Sequence, residues 1–176
     1  MTDRRSDAAG PAVESILVQR LAAVLLSRGW MMASAESCTG GLIAAICTDL
    51  AGASNWFERG FVTYSNAAKS ELLGVPQALL REHGAVSEPV ARAMAEGAVA
   101  LSQTQVAVAV TGVAGPGGGS AEKPVGTVWI AFSVAGLTSS EHCCFAGDRT
   151  QVRAASVRQA LAGLLRRIER SNSTES

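Results

Sequence analysis

The sequence predicts one α/β domain with a layered α/β/α arrangement, in which helices cover both faces of a mixed sheet. Apolar runs of strand length alternate with segments whose apolar residues recur at helical spacing. Near the C-terminus, two strand-like runs flank Ala135–Gly136, which predicts an antiparallel hairpin and therefore a mixed rather than a parallel sheet. The length of 176 residues fits a single domain, which we place at 11–170 with flexible ends at 1–10 and 171–176.

The first half of the chain supplies helix, strand and turn signals in alternation. A helical stripe of apolar residues ends at Gly29, a common helix stop, and an apolar run of strand length follows it. The turn Ser37–Gly41 separates that strand from the next helix, and Ser65 or Asn66 can cap a later one. The predicted elements are a helix over 11–28, a strand over 30–35, a helix over 41–50, a strand over 60–64 and helices over 66–73 and 76–83.

The second half begins with a stronger helix signal. Ser87 is placed to cap this helix, with Pro89 in its first turn. A valine-rich run then predicts a central strand, a glycine-rich loop follows over 111–123, and an amphipathic stripe predicts a terminal helix. The predicted elements are a helix over 88–101, strands over 106–110, 126–134 and 138–145, and a helix over 150–170.

Composition narrows the classes of function. The formal net charge is zero, so nucleic acid is not an expected partner. No segment has the length and apolar character of a membrane span, and no secretory signal begins the chain, so we expect a cytoplasmic protein. The four cysteines lack C-x-x-C spacing and only two histidines accompany them, which predicts reduced thiols and no metal site.

The segment AESCTGG joins a predicted strand to a predicted helix. Ser37, Cys38 and Thr39 therefore precede a helix N-terminus, where free N–H groups and the helix dipole can stabilise an oxyanion. Gly40 and Gly41 allow the backbone to approach a ligand closely. Ser37 is thus a candidate nucleophile, although it or Thr39 could be only a helix cap. Cys38 is a rival nucleophile, because a helix N-terminus lowers the pKa of a thiol.

The segment FVTYSNAAK contains the only tyrosine of the chain, Tyr64, and one of its two lysines, Lys69. Lys69 falls in the first turn of a predicted helix, where burial or the positive end of the helix would lower its pKa. A neutral amine can accept a proton from a serine hydroxyl. The alternative is a solvated surface lysine, and the sequence does not determine whether Lys69 meets Ser37.

Two further segments could bind an anion. VTGVAGPGGG, with Thr111 and Gly112, is a glycine-rich loop suited to a phosphate or a sugar, although it matches neither a P-loop nor a dinucleotide fingerprint. A flexible connection is the alternative. AGDR precedes the last helix, and Arg149 could clamp a phosphate or a carboxylate. Otherwise Asp148 caps that helix and Arg149 is solvated.

Together with GAVSEPVA and KPVGTVW, these motifs resemble the C-terminal domain family of the competence- and damage-inducible protein CinA, over about residues 16–167. Within that family they closely resemble the stand-alone nicotinamide-nucleotide amidases. The resemblance implies hydrolysis of nicotinamide mononucleotide to nicotinic acid mononucleotide and ammonia, in the recycling of pyridine nucleotides. It also implies a homo-oligomer without a metal or an organic cofactor.

The resemblance further assigns roles to individual residues. It implies Ser37 as the nucleophile, Lys69 as the general base and Tyr64 as a supporting hydroxyl. The implied substrate-binding residues are Cys38, Thr39, Gly40, Gly41, Asn66, Thr111, Gly112 and Arg149. Two other functions stay open: a nucleotide-binding or sensing module without catalysis, and an amidase for another nucleotide amide.

Overall fold

A computed structural model describes residues 13–171, which form five strands and six α-helices. The strands are β1 (Met32–Glu36), β2 (Phe57–Val62), β3 (Val106–Gly112), β4 (Thr127–Val134) and β5 (Leu137–Cys144). The helices are α1 (Val13–Arg28), α2 (Leu42–Thr48), α3 (Asn66–Leu73), α4 (Gln77–His83), α5 (Glu88–Ala100) and α6 (Arg149–Ser171). The predicted order of helices and strands is confirmed.

The strands form one mixed sheet in the order β2-β1-β3-β4-β5. β1 pairs in parallel with β2 and β3, whereas β4 runs antiparallel to both β3 and β5. The β4–β5 turn has φ values of 48° at Ala135 and 83° at Gly136. Positive φ at both central residues gives a turn whose twist matches that of a hairpin. The predicted hairpin and mixed sheet are therefore confirmed.

Helices cover both faces of the sheet, as the layered α/β/α prediction requires. Strand β3 shows why, since its side chains alternate between two buried clusters. Val106, Val108 and Val110 pack with α1, α2 and α6, while Ala107 and Ala109 face α5. A strand that is buried on both faces carries a continuous apolar run, which is the pattern that predicted it.

Two local predictions are wrong in detail. β2 starts earlier than expected, at Phe57, and ends at Val62, so Tyr64 lies beyond the strand. The early part was missed because β2 is an edge strand with largely exposed, partly polar side chains. Ser87 does occupy the cap position of α5, but its hydroxyl donates to the Gly84 carbonyl oxygen at 2.8 Å rather than capping the helix.

The ends of the chain are only partly covered. Segments 1–12 and 172–176 lie outside the described residues, so the flexible end expected at 1–10 and most of that at 171–176 stay predictions. Ser171, placed in the second of these ends, is the last residue of α6. Between residues 13 and 171, no helix combines the length and the apolar character that crossing a bilayer would require.

Candidate active site

The C-terminal ends of the three parallel strands bring the predicted site residues to one edge of the sheet. Parallel strands present these ends on the same side, which is where α/β proteins commonly bind ligands. Strand pairing extends one residue past β1 on both sides. The Ser37 N–H donates to the Val110 carbonyl oxygen at 2.9 Å, and the Thr63 N–H donates to the Glu36 carbonyl oxygen at 2.8 Å. The loops that follow β1 and β2 therefore start side by side.

Lys69 meets Ser37 at this edge. Its Nζ lies 3.0 Å from Ser37 Oγ and also donates to the Thr63 carbonyl oxygen at 2.8 Å. The lysine side chain is only 1% exposed, whereas Ser37 is partly accessible. Burial disfavours the ammonium form and so lowers the pKa of Lys69. The surface-lysine alternative is wrong, and burial is the main cause of the lowered pKa.

Burial also shifts the pKa of Cys38, the rival nucleophile, but in the direction that makes it less reactive. Its side chain is 6% exposed, and burial raises the pKa of its thiol to about 11. The positive charges of Arg153, Lys69 and Arg149 favour the thiolate, but their effect is smaller than that of burial. The expectation of a low thiol pKa at a helix N-terminus is therefore wrong. A protonated, buried thiol is a poor nucleophile, because the reactive form is the thiolate.

The carboxylate of Glu36 occupies the N-terminus of α2. Its Oε2 accepts from the backbone N–H groups of Gly41 at 2.9 Å and Ile43 at 3.1 Å. Its Oε1 accepts from the Ala44 N–H at 2.9 Å and from the Ser34 hydroxyl at 3.1 Å. The free helix donors that the sequence suggested for an oxyanion are consequently already bound to a side chain of the protein.

Two other backbone donors beside the serine remain available. The Gly40 N–H donates to the Ser37 carbonyl oxygen at 3.0 Å, so it is used within the loop. The N–H groups of Cys38 and Thr39 donate to no other residue in the part of the chain from 13 to 171. Of the four loop residues predicted to bind substrate, these two therefore retain a free donor next to Ser37.

Arg149 connects the loop after β2 to the glycine-rich loop. Its Nη2 donates to the Tyr64 hydroxyl at 2.8 Å and its Nη1 to the Gly115 carbonyl oxygen at 2.9 Å. Asp148 caps α6, because its Oδ1 accepts from the Gln151 N–H at 2.9 Å. The cap and the arginine contacts, posed as alternatives from the sequence, thus occur together. A cavity of about 500 Å³ opens beside Arg149, between the glycine-rich loop and the start of α6.

The remaining predicted site residues differ in accessibility. Thr111 is buried and its hydroxyl donates to the Ala85 carbonyl oxygen at 2.8 Å. At Gly112 a Cβ atom would lie 2.7 Å from Val128 Cγ2, so packing against β4 accounts for this glycine. Asn66 is exposed at the start of α3. The geometry therefore gives Asn66, rather than Thr111, a side chain open to a ligand.

Sequence reasoning missed two residues that hold the loop after β1. One is Glu36, and the other is Arg153, whose Nη2 donates to the Thr39 carbonyl oxygen at 3.0 Å. Both left a signal in the sequence. Glu36 is a single carboxylate at the end of an otherwise uncharged strand run, and Arg153 follows Arg149 by four residues, the spacing that places two side chains on one helix face.

The fold and this site define an α/β protein with a serine–lysine pair at the carboxyl edge of its parallel strands. The chain belongs to the CinA C-terminal domain family, whose model matches residues 14–168. Solved structures of the same superfamily agree with this assignment. The competence/damage inducible protein CihA from Agrobacterium tumefaciens superposes with a TM-score of 0.87 at 44% identity, over 92% of this chain and 99% of that one.

Curated relatives include proteins of similar length. The nicotinamide-nucleotide amidohydrolase PncC of Escherichia coli K12 is 52% identical over 151 residues, which cover 84% of this chain and 90% of the relative. The protein of the same name from Enterobacter agglomerans is 56% identical over 136 residues, 76% of this chain and 82% of the relative. A CinA-like protein of Akkermansia muciniphila is 52% identical, but the match spans only 37% of its length.

Proposed function

We propose that this protein hydrolyses the carboxamide of nicotinamide mononucleotide, releasing ammonia and nicotinic acid mononucleotide. One contact carries the proposal: the 3.0 Å approach of Lys69 Nζ to Ser37 Oγ, made by a lysine whose pKa is lowered by burial. Relatives at 52–56% identity that bear the name nicotinamide-nucleotide amidohydrolase support the choice of substrate.

In the proposed mechanism, Ser37 is the nucleophile and Lys69 the general base. Neutral Lys69 accepts the hydroxyl proton while Ser37 Oγ bonds to the carboxamide carbon. The positive charge of the pyridinium ring makes that carbon more electrophilic. The protonated lysine then gives its proton to the departing nitrogen, which leaves as ammonia. Water next attacks the acyl ester, with Lys69 accepting the proton of the water. As the ester bond breaks, Lys69 returns that proton to Ser37 Oγ, which regenerates the hydroxyl and the neutral amine.

The free N–H groups of Cys38 and Thr39 are proposed to bind the oxyanion of this reaction. They are the backbone donors beside Ser37 that bond to no other residue in the described part of the chain. Donors placed in advance where negative charge develops stabilise the transition state, and each contributes a factor of roughly 10² to 10³ in rate. This role needs only the backbone, so it does not depend on the buried thiol of Cys38.

The phosphate and ribose are proposed to bind around Arg149. Its guanidinium is exposed, is held by Tyr64 and Gly115, and borders the cavity beside the glycine-rich loop. A planar guanidinium suits a phosphate, because two of its N–H groups can contact two phosphate oxygens. Tyr64, 62% exposed, offers a ring and a hydroxyl near the serine loop, and Asn66 offers an amide. Thr111 and Gly112, at the start of the glycine-rich loop, are proposed to hold that loop in position beside the substrate.

We further propose that the protein acts in the cytoplasm as a homo-oligomer. The four cysteines are all free, as expected in a reducing compartment. The oligomeric state follows only from the family resemblance. Light scattering coupled to gel filtration tests it, and a mass equal to that of one 18.1 kDa chain would contradict it.

The function is tested by ammonia release from nicotinamide mononucleotide, with and without a chelator. We expect release that survives chelation, is abolished by Ser37→Ala and is abolished by Lys69→Ala, while both variants still bind the nucleotide. Ser102→Ala is the matched control, because this serine lies at the C-terminal end of α5, away from the site. Binding without release by the wild-type protein would instead favour a nucleotide-binding module.

A further inference from the structure

We propose that Glu36 is a positioning residue, which holds the loop Ser37–Gly41 in the shape that leaves the Cys38 and Thr39 N–H groups free for an oxyanion. The inference rests on the proposed function, which supplies the oxyanion. It concerns a side chain that does not touch the substrate, because Glu36 is 0% exposed.

The buried carboxylate is fully engaged by hydrogen-bond donors. Three of its four donors are backbone N–H groups, and both of its oxygens accept two bonds each. Within residues 13–171, no lysine, arginine or histidine forms an ion pair with it. A buried carboxylate that had neither an ion pair nor hydrogen-bond donors would be strongly unfavourable. The backbone of α2 therefore stabilises the carboxylate, and the carboxylate in turn satisfies the first turn of α2.

The cap comes from an unusual place in the chain. Helices are normally capped by the residue just before the first turn, but here that residue is Gly41, which has no side chain. The capping group is the side chain of Glu36, five residues before Gly41 and just before the loop Ser37–Gly41. Glu36 can reach the helix only when the loop folds back on itself, and the loop does so through positive φ values of 59° at Gly40 and 96° at Gly41.

As a result, the backbone N–H groups near Ser37 fall into two sets: those bound by Glu36 and those left free for a ligand. The carboxylate binds the donors of the α2 first turn, which would otherwise be the strongest local attraction for an anion. The two N–H groups left over belong to Cys38 and Thr39, directly after the nucleophile. The Thr39 carbonyl oxygen is held from the other side by Arg153. Glu36 and Arg153 thus fix both the direction of the free donors and their number.

Glu36→Gln tests this role, because it keeps the shape of the side chain and replaces one acceptor oxygen with a donor. At least one of the three backbone hydrogen bonds must then be lost, and the loop shifts. A displacement of about 1 Å at a catalytic site can reduce turnover roughly 100-fold. We expect kcat for ammonia release to fall by about that factor with KM changed little. Glu141→Gln is the control: it makes the same substitution at a hydrogen-bonded carboxylate on β5, away from the site, which accepts from Gln159 and Arg167.

A second readout does not require the substrate. In the wild-type protein the backbone amides of Gly41, Ile43 and Ala44 should exchange slowly with solvent, as measured by NMR, and in Glu36→Gln at least one of them should exchange faster. Labelling of Ser37 by a fluorophosphonate should also slow in this variant. If wild-type protein releases no ammonia, the proposed function fails, whereas amide exchange and Ser37 labelling still decide the role of Glu36.

A folded Glu36→Gln protein with wild-type kcat, or with unchanged amide exchange and labelling, would overturn the inference. If Glu36→Gln does not fold, Glu36→Asp takes its place, because it retains the charge but is one methylene too short for all four bonds. A folded Glu36→Asp variant with reduced kcat and nearly constant KM would support the positioning role. An unchanged kcat in that variant would refute it.

Discussion

Replacing Lys69 with methionine should remove activity with little loss of stability. Methionine is unbranched and close to lysine in length, so it can fill the same buried space. It has no proton-accepting group, and loss of a general base lowers turnover by roughly 10²- to 10⁴-fold. The same substitution also removes a buried amine that the protein solvates poorly, since Lys69 is 1% exposed.

The effect on stability follows from two opposed contributions. Burial disfavours the charged form of Lys69 and so lowers its pKa, and methionine avoids this unfavourable contribution. Methionine also leaves the Thr63 carbonyl oxygen without the donor that lies 2.8 Å away, at a cost of about 1–3 kcal/mol. Because the two contributions have opposite signs, we expect the free energy of unfolding at pH 7 to fall by no more than the cost of that lost bond, about 1–3 kcal/mol.

The pH dependence gives a sharper test, since its sign is fixed. In the folded protein Lys69 loses its proton at a lower pH than in the unfolded chain, where its pKa is near 10.5, the ordinary value for lysine. Between these two values the unfolded state binds more protons, so the wild-type protein gains stability relative to Lys69→Met as pH rises. Below the lowered pKa the difference between the two proteins is constant.

Urea unfolding of both proteins at pH 7 and pH 10, with ammonia release measured in parallel, provides the assay. The reasoning is refuted if Lys69→Met loses more than about 4 kcal/mol at pH 7, the behaviour of a broken buried ion pair. It is equally refuted if the free energy of unfolding of the wild-type protein, relative to that of Lys69→Met, is no higher at pH 10 than at pH 7. Residual activity close to that of the wild type would exclude Lys69 as the base.

Three other outcomes are expected. Cys38→Ala should retain most of the wild-type kcat for ammonia release, because burial keeps the pKa of this thiol at about 11; an inactive variant would contradict the assignment of the nucleophile. Arg149→Lys should raise KM roughly tenfold with a smaller change in kcat, because lysine lacks the planar guanidinium that holds Tyr64 and faces the cavity. Steady-state kinetics tests this, and an unchanged KM would exclude the anion contact. Gly97→Ala should lower the free energy of unfolding by about 1–3 kcal/mol in urea, because its Cβ would lie 1.9 Å from the Leu73 carbonyl oxygen; an unshifted midpoint would show that α5 can move away from α3.

Much of the fold could be predicted from the sequence because the signals are local. The valine-rich run of β3 and the amphipathic stripe of α6 each report their own burial pattern, which follows from the period of the element. The hairpin at Ala135–Gly136 likewise follows from its turn residues. The start of β2 could not be predicted, because an edge strand with exposed side chains lacks a distinctive apolar pattern.

The site divides in the same way. The sequence by itself determined which chemical groups are present, Ser37 and Lys69 among them, since these are properties of single residues in recognisable motifs. Only the tertiary structure decided that the lysine is buried against the serine, that burial raises the pKa of the Cys38 thiol, and that the Glu36 carboxylate accepts from the backbone N–H groups of α2. The physical reason is that a pKa and a free N–H depend on which atoms surround a group, and distant parts of the chain supply those atoms.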